Sequence, residues 1–156
     1  MARFTTAQPG ELIRRARLDA GLTQSELAHR AGVSQPSLAQ MEKGTRAASD
    51  EMLERVLRAA DYRPSLPLAD LADQITAIAA QRGIERVRVF GSTVRGDDHF
   101  DSDIDLIVSP GPHVDLFDLA LFADEVRVLT GFPVDIVADT GDSPLSAEAA
   151  LEAVAL

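Results

Sequence analysis

Apolar positions recur with two different periods along this chain, and the change of period divides it. Over the first sixty or so residues they return every three or four positions, the spacing of amphipathic helices. Leu12, Ile13 and Ala16, with Leu18 at the margin of the stripe, predict a helix from Pro9 to Ala20, with Pro9 in its first turn and Gly21 ending it. Thr23 followed by Glu26 reads as a capping box opening a short helix, Gln24 to Arg30, with Leu27 and Ala28 inward and a tight turn at Gly32. Ser34 caps a third helix to about Lys43, with Leu38 and Met41 inward and Gly44 as its stop. Ser49 or Asp50 opens a fourth, carrying Met52, Leu53, Val56 and Leu57.

Asp61 to Pro67 has two prolines and no periodicity, and reads as a boundary, with 63–67 as linker. A further helical stripe follows at Leu68, Leu71, Ile75, Ile78 and Ala79, ending near Gly83. The period then drops to two: Val87 and Val89 alternate before Gly91-Ser92, and Ile104, Leu106 and Val108 alternate after an Asp- and Gly-rich loop. Pro110-Gly111-Pro112 ends that second strand. Leu116 to Leu129 reads as a helix with Leu116, Leu119, Ala120, Ala123 and Val126 inward, Pro133 to Val137 as a strand, and Ser143-Pro144 as the start of a last helix using Leu145, Ala149 and Val154 for packing. The expected fold class is α+β in two domains: all-α over 1–62, then a small mixed sheet with helices over 68–156.

Composition changes this picture little. The chain has 156 residues, 46% of them hydrophobic, and no cysteine, which excludes disulfides and Cys-based zinc sites. No apolar run approaches bilayer length and the start lacks a signal-peptide core, so no membrane association and a cytoplasmic location are expected. Charge is more informative. The net value of -10 hides an asymmetry: residues 1–66 carry ten Lys and Arg against eight Asp and Glu, and the remainder five against seventeen. Only the first half could lie on a polyanion comfortably. Aromatic content of 4% argues against single-strand binding by base stacking.

The chemistry concentrates in 86–108, RVRVFGSTVRGDDHFDSDIDLIV. Side chains two apart on a strand share a face, so Asp103 and Asp105 project together, opposite Ile104, Leu106 and Val108. Two close carboxylates repel unless a cation lies between them, and a hard ion such as Mg²⁺ takes oxygen ligands while keeping a nucleotide phosphate in its shell. Gly91 permits close backbone approach to a phosphate, and Ser92 offers a hydroxyl and an amide. A calcium-loop reading of Asp101-x-Asp103-x-Asp105 fails, because Leu106 and Pro112 stand where that pattern needs Gly and Glu. Asp97, Asp98 and Asp101 read as solvated turn residues, and His29, His99 and His113 receive no metal role.

Gly91-Ser92, Arg95-Gly96, then Ser102-Asp103-Ile104-Asp105-Leu106 resemble the signature of the minimal nucleotidyltransferases, a branch of the DNA polymerase β superfamily. The resemblance implies a third carboxylate on a later strand, which Asp135 in Val134-Asp135-Ile136-Val137 supplies. It also implies Mg²⁺ on Asp103, Asp105 and Asp135, ATP as substrate with its phosphates near Gly91, Ser92 and Arg95, and transfer of AMP to a hydroxyl.

Residues 21–44, GLTQSELAHRAGVSQPSLAQMEKG, resemble the phage-repressor (Cro/C1, or XRE) helix-turn-helix family. By that resemblance Gln24, Gln35, Ser37 and Gln40 are expected at base edges or backbone, Lys43 and Arg46 near phosphate, and Arg17 with Glu42 as a structural ion pair. Pro36 stands where the family often carries a polar residue. A homodimer on two-fold double-stranded operator DNA is implied.

Minimal nucleotidyltransferases resemble antitoxins that modify a hydroxyl, commonly tyrosine, of a HEPN-type ribonuclease toxin. The combination therefore reads as an antitoxin that AMPylates a separate HEPN-type toxin and represses its own operon. Three rivals stay open at this point: an antitoxin that neutralises by binding alone, a small-molecule nucleotidyltransferase, and a transcription factor that senses ATP.

Overall fold

The computed structural model describes residues 2–142 and 147–156. The chain folds as two compact units, Met1–Tyr62 and Arg63–Leu156.

The first unit consists of α1 (Pro9–Asp19), α2 (Gln24–Ala31), α3 (Gln35–Lys43) and α4 (Asp50–Ala59). Local chemistry sets these limits. Thr23 and Glu26 form the reciprocal capping box, and Ser34 and Ser49 accept the N–H three residues on, each satisfying a donor that the first turn leaves unpaired. Ile13, Ala16, Leu27, Leu38, Val56 and Leu57 are fully buried between the helices. Leu18 instead points outward, 57% exposed, because it lies off the stripe set by Ile13 and Ala16. Phe4 packs edge-to-face on Tyr62 at 5.7 Å between ring centres, and burial raises the Tyr62 hydroxyl pKa to about 12.

The second unit runs α5 (Ser65–Gln81), β1 (Ile84–Phe90), a one-turn helix α6 (Ser92–Arg95), β2 (Ile104–Pro110), α7 (Leu116–Thr130), β3 (Val134–Ala138), α8 (Ala147–Glu152) and β4 (Val154–Ala155). The four strands form one mixed sheet in the order β3-β2-β1-β4. β1 is antiparallel to both β2 and β4, whereas β2 and β3 are parallel. A parallel pair needs a crossover, and α7 provides it. α5 packs on β1, α7 on β3, and the two helices meet where Arg82 donates to both Glu125 oxygens at 2.9 and 2.8 Å. The helices therefore cover one face of the sheet, where Val87, Val89, Ile104, Leu106 and Val108 are buried. The other face, bearing Asp105 and Asp135, carries neither. Arg88 spans part of it from β1 to Asp139 at 2.7 Å, across β2 where Ile107 is fully buried.

Four expectations need correction. The stretch 63–67 is no linker, since α5 begins at Ser65 and Pro67 sits in its first turn. A proline there lacks only an N–H that would have had no helical acceptor. Asp98 is no solvated turn residue: it is buried, its carboxylate accepts the Ser65 N–H at 2.8 Å, and Arg63 lies 3.8 Å away. A loop aspartate thus caps α5 from outside the helix. α7 is turned part-way from the expected phase: Val126 is buried as expected and Leu119 and Ala123 are half-buried, but Phe122 and Thr130 are buried as well, while Leu116 is 82% exposed and Ala120 also faces out. Its sequence is apolar on nearly every side, so its rotation follows the strand it meets. The last helix stops at Glu152, and Val154 belongs to β4, because the free edge of β1 offers hydrogen bonds that a frayed helix end does not. The expected roles of Ser143, Pro144 and Leu145 fall outside the described residues.

Candidate active site and helix-turn-helix surface

The register of β2 on β3 pairs Asp105 with Asp135. Paired residues on neighbouring strands project to the same face, so two carboxylates from distant segments stand side by side. Asp103 immediately precedes β2 and is exposed. On β1 the residue opposite Asp105 is Phe90, and the chain then turns at Gly91.

Gly91 is required twice over. Its backbone, at φ 77° and ψ -151°, lies in a region open essentially to glycine alone. A Cβ there would also collide with the Asp105 carboxylate. The acid is packed against bare backbone, a cradle that a side chain would fill. Desolvation by burial, followed by the negative charges of Asp135 and Asp103, raises the Asp105 pKa, and nearby Arg95 offsets part of this.

Ser92 and Arg95 sit at opposite ends of α6. Arg95 donates to Glu152 at 2.9 Å and lies 3.5 Å from Asp97. The Gly91 N–H donates to the other Glu152 oxygen at 3.1 Å. Nothing in the sequence pattern singles out Glu152, since its neighbours here are some sixty residues away. As the side chains stand, no three His, Cys, Asp or Glu groups among the described residues are gathered closely enough to hold a metal ion. Asp103 is near enough for its charge to act on Asp105. The donor set is nevertheless oxygen only, which suits a hard divalent cation.

In the first unit, Glu42 ties three helices together. It accepts from Arg17 at 2.6 and 3.2 Å and from Gln24 at 3.0 Å, and Gln24 in turn accepts from Gln35 at 3.0 Å. The expected ion pair is present, and it extends into a chain that fixes the amides of Gln24 and Gln35. Ser37 bonds to Ser34 at 2.9 Å and accepts from Arg46 at 3.2 Å. Gln40, Lys43 and Arg46 are exposed, and the Gln40 carbonyl accepts the Thr45 and Arg46 N–H groups that close α3. The six candidate DNA-contacting residues thus lie on α2, α3 and the turn that follows.

Comparison with known proteins agrees with both units. Residues 13–66 match the helix-turn-helix family model, and residues 73–152 match the model described as polymerase beta, nucleotidyltransferase. A "putative protein adenylyltransferase" of Methanocaldococcus jannaschii is 31% identical over 76 residues, which span 49% of this chain and 82% of that one. A solved structure described as a "putative minimal nucleotidyltransferase" superposes with a TM-score of 0.55 at 34% identity, covering 61% of this chain and 98% of the other. No helix among the described residues is long and apolar enough to cross a membrane. The chain is a member of the polymerase beta nucleotidyltransferase family, with a DNA-binding helix-turn-helix unit of the XRE type preceding its transferase domain.

Proposed function

We propose that this protein is an antitoxin that transfers AMP from ATP to a hydroxyl, commonly a tyrosine, on a separate HEPN-type toxin and represses its own operon through the helix-turn-helix unit. The observation that carries the enzymatic part is the in-register pairing of Asp105 with Asp135 beside Gly91. Two acids brought together from separate strands, one with a raised pKa, cost stability, which favours a catalytic reason for keeping them.

Asp103, Asp105 and Asp135 would hold Mg²⁺. The ion, when bound, neutralises phosphate charge and steadies the attacking and leaving oxygens. The Gly91 amide, the Ser92 hydroxyl and Arg95 orient the outer phosphates. Asp135 takes the proton from the acceptor hydroxyl as its oxygen forms a bond to the α-phosphorus. The bond from that phosphorus to the bridging oxygen breaks, and pyrophosphate leaves with the charge that Arg95 offsets. In the first unit, Gln24, Gln35, Ser37 and Gln40 read or border base edges, while Lys43 and Arg46 meet phosphate. Because one unit offers few contacts, two copies bind a two-fold operator.

The test is incubation with labelled ATP, Mg²⁺ and the candidate toxin. Label on the toxin with wild type and none with Asp105→Ala is expected. Neutralisation of the toxin without label would leave an antitoxin that acts by binding alone.

A further inference from the structure

The Glu152 carboxylate is committed to two groups: its Oε2 accepts the Gly91 N–H at 3.1 Å and its Oε1 accepts from Arg95 at 2.9 Å. These are the backbone donor and the cation assigned above to the nucleotide's phosphates. A carboxylate and a phosphate oxygen make the same charge-assisted bonds to an amide and a guanidinium. The single Gly91 N–H cannot serve both at once, and at Arg95 the carboxylate competes with a phosphate for the same positive charge.

The segment that delivers Glu152 is lightly attached. α8 has six residues and buries none of them. β4 is two residues long, both exposed, paired to Arg88 and Val89, with the Leu156 N–H reaching the Val87 carbonyl at 3.2 Å. Few buried contacts and a short ladder mark a part of a fold that opens at low cost. The Glu152 side chain is itself only 21% exposed, so it is seated in the site rather than lying beside it.

We infer that Glu152 is a built-in phosphate mimic and that α8–β4 is an autoinhibitory strap, displaced when a nucleoside triphosphate takes Gly91 and Arg95. A triphosphate carries several negative charges where Glu152 carries one, so it can win these two groups. Strap release thereby becomes a step in nucleotide binding, and any partner that captures β4 would raise nucleotide affinity. This inference rests on the phosphate-seat reading of Gly91 and Arg95.

Calorimetric titration of the full chain with MgATP tests both layers. Glu152→Gln keeps the shape and removes the charge. It is expected to tighten MgATP binding about three- to tenfold, the range open to one partly exposed ion pair and its hydrogen bond. Arg95→Ala should weaken binding, and adding it to Glu152→Gln should erase the gain. If Arg95→Ala weakens binding but Glu152→Gln leaves it unchanged or weaker, the phosphate seat stands and the strap is refuted. If MgATP binds no form, or binds all alike, the seat itself is misassigned and the strap falls with it. Hydrogen exchange of the wild type needs no variant: MgATP should speed exchange at the Leu156 amide, and added protection there would overturn the proposal.

Discussion

Asp105 and Asp135 face one another across the parallel β2–β3 pair, thirty residues apart in the chain and adjacent on one sheet face. The arrangement is electrostatically unfavourable in the bare fold. Burial and the like charges of Asp135, Asp103 and Glu152 raise the Asp105 pKa above the usual carboxylate value, so ionising it costs folding free energy.

The sign of that cost gives a pH prediction. Below the ordinary carboxylate pKa, Asp105 is neutral whether folded or unfolded, and the penalty is absent. As pH rises through the window between that value and the raised folded one, the unfolded state ionises first and stability falls. Asp105→Asn is therefore expected to raise the melting temperature at pH 7, with the gain disappearing in acid well below pH 4. The same variant should lose nucleotidyl transfer by several orders of magnitude. A lower melting temperature at pH 7 would contradict this electrostatic account.

Gly91 cannot carry a side chain without disturbing its neighbour. Gly91→Ala forces a glycine-only backbone conformation on an L-residue and drives a methyl into Asp105. We expect a loss of about 2–4 kcal/mol in chemical denaturation. Gly96→Ala has the same sign of φ but open space around it, so it should cost less, on the order of 1–2 kcal/mol.

Asp98 offers a test of the cap on α5. Asp98→Ala leaves the Ser65 N–H without its acceptor and should destabilise the transferase unit by about 1–3 kcal/mol. Asp98→Asn keeps an acceptor oxygen and should lose less. Equal losses would mean that the carboxylate charge near Arg63, not the hydrogen bond, sets the effect.

In the helix-turn-helix unit, Glu42→Ala removes the carboxylate partner of Arg17, whose side chain is only 12% exposed and keeps only its bond to the Leu22 carbonyl at 3.0 Å. A destabilisation of about 2–4 kcal/mol is expected by thermal melting. Gln35→Ala should barely change melting but weaken binding to the operator, with reduced discrimination between base pairs. Lys43→Ala should weaken operator and unrelated DNA equally and flatten the salt dependence of binding.

Much of this was legible along the chain because it depends on near neighbours. Capping residues, turn glycines and the period of apolar positions act within a few residues, so α1 to α4 and the β1–β2 hairpin follow from the sequence. The spacing of Gly91-Ser92 and Asp103-x-Asp105 is likewise local, and the resemblance it carries pointed to Asp135. What the chain order leaves undetermined is every choice made between distant segments. The rotation of α7 was decided by its strand, since its sequence has no single apolar stripe. Asp98 became a helix cap because α5 begins beside it, thirty-three residues earlier in the chain. The last strand formed because β1 had an edge to fill, and only that pairing carries Glu152 to Gly91 and Arg95. A hydrogen bond acts only over about 3 Å, so which further side chains, Glu152 among them, reach the site is decided by the folded sheet and not by order along the chain.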